Sequence, residues 1–139
     1  MKASGLTLAL IFASPILATP VFAQDPGLFG AWVGVGRQDG ETWDMTVDVV
    51  QGGARVDYPG FPCGGLWVFF DVNAATVKGT EWLTYGKDQC LDGLGLTMAR
   101  GPGGELSIRW YDDAGAEVAQ ADLHSKPTSS GRKSSTGSN

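Results

Sequence analysis

Histidine occurs once in this 139-residue chain, cysteine twice, and lysine and arginine together only ten times. Each scarcity removes a class of function. The single histidine, His124, stands at the edge of a polar tail with no recognisable partner, which leaves a Ser/His/Asp hydrolase without support. Two thiols and one imidazole cannot complete a tetrahedral metal set alone. Bases are scarcest where a fold is expected: residues 24–123 hold fifteen Asp and Glu against six Lys and Arg, a net charge of −9. Such an acidic body is ill suited to nucleic acid or an anionic membrane surface. Helical periodicity is missing too. No stretch of twelve residues in the mature region shows it, so there is no strand-to-helix phosphate cradle and no cofactor is expected.

Long apolar runs are confined to the N-terminus. Lys2 supplies a positive charge, Gly5 to Leu17 is apolar, and Val21-Phe22-Ala23 places small residues where a signal peptidase cuts. Pro15 interrupts the run, which falls short of the roughly 20 residues of a spanning helix. Residues 1–23 are therefore expected to be a cleaved signal peptide, with export to a bacterial periplasm or cell exterior and no membrane span afterwards. Residues 24–124 suit one domain, and residues 125–139, rich in Ser, Thr, Gly and base, are expected to be a disordered tail. In an oxidising compartment, Cys63 and Cys90 are most economically read as one disulfide.

What the mature region has in plenty is two-residue alternation. Trp43, Met45, Val47 and Val49 alternate with Asp44, Thr46 and Asp48, as on a half-buried strand. Turn residues recur at Asp39-Gly40, Gln51-Gly52-Gly53, Asn73-Ala74, Gly86-Lys87-Asp88, Gly101-Pro102-Gly103-Gly104 and Asp112-Asp113-Ala114-Gly115. The intervals predict an all-β domain of about eight antiparallel strands, near 30–37, 42–50, 53–58, 64–72, 75–85, 91–99, 105–111 and 116–123. Short connections favour an up-and-down meander closing as a small barrel, with a β-sandwich as the alternative. Gly34 and Gly36, across from Met45 and Trp43, would give large side chains room inside a narrow curve.

Pairing the predicted strands sorts side chains into faces. A two-residue turn at Asn73-Ala74 sets Phe70 opposite Val77 and Val68 opposite Gly79. Trp67, Phe69 and Trp82 then project outward as an aromatic cluster of the kind that marks a contact surface, unless the tail, a loop or residues 24–28 cover it. Glu81 points inward, where a carboxylate must be hydrogen-bonded, paired or protonated; Tyr58, Tyr85 or a Trp N–H could hold it. Asp92 is a second inward acid or a loop residue. The acidic turns at Asp39, Glu41 and Asp44 and at Asp112 and Asp113 lack the dense ligand spacing of a calcium loop.

Two resemblances follow from motifs. Gly30-Ala31-Trp32 resembles the Gly-x-Trp that opens calycin, lipocalin-like barrels, although a second lipocalin signature and closing helix are missing. The series Trp32-x-Gly34, Tyr58-Pro59, Cys63-Gly64-Gly65-Leu66, Glu81-x-Leu83-Thr84-x-Gly86, Cys90-x-Asp92-Gly93 and Leu106-x-Ile108-x-Trp110 resembles a small extracytoplasmic bacterial β-domain of unknown function. That likeness implies the Cys63–Cys90 bond and a structural Glu81.

The expected function is a non-catalytic binding module that contacts a protein, glycan or envelope component through Trp67, Phe69 and Trp82. Two rivals stand beside it. One is a lipocalin-like carrier of a small apolar ligand. The other is a lysozyme or protease inhibitor acting through the Tyr58 to Pro62 loop. An enzyme resting on Glu81 and Asp92 is the weakest reading.

Overall fold

The structure is a computed structural model that describes residues 27–127. The expected signal peptide and residues 128–139 of the expected tail lie outside the described residues. Eight strands follow in order: β1 (Gly30–Gln38), β2 (Glu41–Val50), β3 (Gly53–Tyr58), β4 (Cys63–Val72), β5 (Val77–Tyr85), β6 (Gly95–Arg100), β7 (Leu106–Tyr111) and β8 (Glu117–Ser125). Each pairs antiparallel with the next, and β8 returns to β1, so the meander is a closed barrel. Closure satisfies the backbone groups that an open sheet would leave on its edges. Pairing also reaches into the segment expected as tail, because the Lys126 N–H donates to the Ala31 carbonyl at 2.8 Å.

Local chemistry explains the tight first hairpin. Asp39 and Gly40 adopt φ of 49° and 83°, and Gln38 pairs with Glu41. Two consecutive left-handed residues give a turn whose twist matches the strands, and Asp-Gly tolerates it best. Gly36 makes room for the aromatic neighbour it faces: a Cβ there would lie 2.3 Å from the Trp43 ring.

Inside, Trp32, Met45, Val47, Val56, Met98, Ile108 and Leu123 are buried. Outside, Asp44, Asp48, Arg55, Lys78, Arg109 and Asp122 are exposed along the strands. Charge outward and apolar inward is the inverse of a barrel that faces lipid. Leu28, just before β1, is buried and accepts a hydrogen bond from the Trp32 indole at 2.8 Å, which closes the end where β1 begins.

One hairpin corrects the predicted faces. Four residues, not two, connect β4 to β5, with Val72 opposite Val77. Between Phe69 and Asp71 the register shifts: Phe69 faces Gly79, Asp71 faces Lys78, and Phe70 is the additional residue of a bulge. A slip of two residues would leave faces unchanged, but the extra residue of the bulge brings the net slip to one and turns β4 over. Trp67 is therefore inside, 1% exposed and opposite Glu81, and Phe69 is half-buried. Leu66, Val68 and Phe70 are outside instead, with Trp82, which does face outward as expected.

The β6–β7 hairpin keeps its apolar residues inward. Met98 pairs with Ile108 and Leu96 with Trp110, all of them buried. In the last hairpin a shift beside Trp110 sets Ala119, Ala121 and Leu123 inward and Val118 aside.

Candidate functional site

Because consecutive strands alternate direction, four connections gather at one end of the barrel: β1–β2, β3–β4, β5–β6 and β7–β8. That end is open. A cavity of about 380 Å³ enters the barrel there, a volume suited to a small molecule. Its walls are Trp43 of β2, Phe61 of the β3–β4 turn, Leu91 and Leu94 before β6, and Ala119 of β8. Trp43 and Phe61 meet edge to face with centroids 6.1 Å apart. The turn expected to protrude thus packs across the mouth, with the Phe61 N–H donating to the Tyr58 carbonyl. The small Ala119 sits opposite Trp110, where a larger side chain would fill the space.

The floor is polar. Glu81 is 3% exposed, and one of its oxygens, Oε2, accepts hydrogen bonds from the Tyr58 hydroxyl and, at 2.6 Å, from the Trp67 indole. The third donor is poorly placed. The buried Trp110 indole N–H makes no hydrogen bond of ordinary geometry, although it is near enough to Glu81 to draw the carboxyl pKa down. Trp67 and Trp110 pack edge to face at 5.9 Å, so the two indoles brace each other around the carboxyl.

Burial pushes the Glu81 carboxyl above its ordinary pKa; donors from Tyr58, Trp67 and Trp110 pull it back, and the Asp92 charge adds a push. Burial likewise raises the Tyr58 hydroxyl well above its ordinary value, with the Glu81 charge next in importance. No Lys, Arg or His of the described residues lines the cavity; Glu41 at its rim is a second acid. This floor can hold a partly desolvated negative charge among neutral donors and present it to a guest.

The disulfide shapes the mouth. Cys63 at the start of β4 bonds Cys90 in the β5–β6 connection, with Cα atoms 6.4 Å apart. Asp92 is in that connection, exposed, and not an inward acid. Its carboxylate accepts the Leu83 N–H at 2.7 Å and pairs with Lys87 at 3.1 Å; these contacts hold its pKa below the ordinary value. The Glu81 N–H donates to the Leu94 carbonyl and the Gly93 N–H to the Glu81 carbonyl, so the connection clings to β5 without being strand. This is why β6 begins at Gly95 rather than near residue 91.

Of the residues singled out from sequence, Tyr58, Glu81, Cys63 and Cys90 come together at this end, and Trp67 joins them from within. Phe69 and Trp82 do not. Trp82 lies outside beside Leu66, its cross-strand neighbour. Trp43 and Trp110 both line the cavity, and the space beside them has no signature in the sequence. Among the described residues, no three His, Cys, Asp or Glu side chains converge as a metal site. No family model, curated protein or solved structure matches the chain.

Proposed function

We propose that this chain is a non-catalytic, extracytoplasmic binding protein that holds a small molecule in the open end of its barrel. The observation that carries the proposal is a buried carboxyl, with the Trp110 indole N–H beside it lacking a hydrogen bond of ordinary geometry, at the floor of a cup walled largely by aromatic and aliphatic side chains with Gln38, Glu41 and Gln89 also lining it. A purely structural core would bury apolar side chains there or pair every polar one. Support for export comes from the N-terminal signal pattern and from a disulfide, which suits an oxidising compartment. The Gly30-Ala31-Trp32 likeness to calycins agrees with a ligand inside the barrel, as does the gathering of Tyr58, Glu81 and Trp110 at its open end.

The aromatic face expected from sequence does not exist as such, because Trp67 is interior. Native mass spectrometry of protein purified from its own host tests the proposal. A small adduct is expected on the wild type and absent from Ala119→Phe, in which the cup is filled. A wild-type mass that is empty in material kept under native conditions throughout would overturn it.

A further inference from the structure

Every charged side chain lining the cup is acidic. Glu81 lies at the floor and Glu41 at the rim, and none of the described residues that line it is Lys, Arg or His. Glu81 is held by neutral donors, Tyr58 and Trp67, with the Trp110 indole nearby, so its anion would have no counter-ion among the residues around it. A buried charge without an opposite partner is costly, and a cation delivered from solvent would offset that cost. The walls are also suited to one. Trp43, Phe61, Tyr58 and Trp110 line the same space, and the faces of such rings attract ammonium groups. The acidic body, at −9 over residues 24–123, raises the local concentration of cations around the mouth.

Resting on the cup being the ligand site, we infer that its ligand is a small organic ammonium ion, with the cationic nitrogen directed to Glu81 and its apolar part against Leu91 and Leu94. The volume of about 380 Å³ confines the guest to a small molecule. The Trp110 N–H remains to donate to an oxygen on the guest or to a water carried with it.

Three probes with one ring test this: 2-phenylethylammonium, 2-phenylethanol and phenylacetate, titrated into the mature protein by calorimetry. The cation is expected to bind at least about tenfold more tightly than the alcohol, a difference of about 1.4 kcal/mol, and phenylacetate least tightly. E81Q is expected to remove that preference, and E41Q to weaken the cation less. On the wild type, which needs no variant to fold, the cation should shift the indole N–H resonances of Trp43 and Trp110 and leave Trp82 still. Equal or tighter binding of the alcohol or phenylacetate would overturn the inference while leaving the cup as a binding site. Failure of the cation to bind at millimolar concentration, or shifts confined to Trp82, would overturn it too. An empty native mass would instead remove the site on which it rests.

Discussion

Glu81 is the one carboxylic acid among the buried described residues, and its surroundings make opposite demands on it. Burial favours the protonated form, whereas the Tyr58 and Trp67 donors favour the anion, and burial wins, so the folded pKa lies above the unfolded one. The native state therefore holds the Glu81 proton more tightly than the unfolded chain. Its contribution to stability is lost as pH rises from the ordinary carboxyl range through the raised value. E81Q, which keeps an acceptor of the same shape, should remove this dependence. The difference in unfolding free energy, E81Q minus wild type, is expected to increase as pH rises across that window; chemical denaturation at a series of pH values measures it. E81L should behave differently, because it strands the Tyr58 hydroxyl and the Trp67 N–H. A loss of about 3 kcal/mol is expected at neutral pH.

At the scale of the element, the β4–β5 hairpin decides which aromatic side chains are core. Alternation in β4 was legible, but its phase was not, because Leu66, Val68 and Phe70 are as apolar as Trp67 and Phe69. Either set could face inward. A bulge at Phe70 settles the matter, and a bulge has no signature in a run where every candidate residue is large and apolar. Elsewhere polar residues fixed the phase: Asp44, Thr46 and Asp48 in β2 left one choice, and Val47, facing Val56, is buried. Glu81 and Tyr58 were recognisable as an inward acid and its partner. The cup was not, because it depends on Ala119 turning inward beside a second register shift. Paired substitutions separate the two faces of the hairpin. W67S should cost about 4 kcal/mol, in the range for emptying a large core site, whereas W82S, on a residue 52% exposed, should change stability by at most about 0.5 kcal/mol. Urea midpoints of the two variants check this.

Over the whole molecule, the barrel has unlike ends. One is closed by Leu28 over Trp32; the other holds the cup, with the Trp43–Phe61 contact at its mouth and Cys63–Cys90 tying it. The disulfide spans 27 residues of sequence, and in the chain-entropy picture such a closure stabilises by about 3.5 kcal/mol. Replacing both cysteines by Ser should lower stability by about that amount and weaken ligand binding as well, because Cys90 and Leu91 line the mouth. Thermal melts with and without reductant, alongside the double variant, measure the stability part. The most direct measurement is a crystal structure of the protein purified from its own host. Density for a small molecule between Trp43, Phe61 and the Glu81 carboxyl is the expected result. A cup holding only water, with ligand density instead on the exterior beside Leu66 and Trp82, would contradict it.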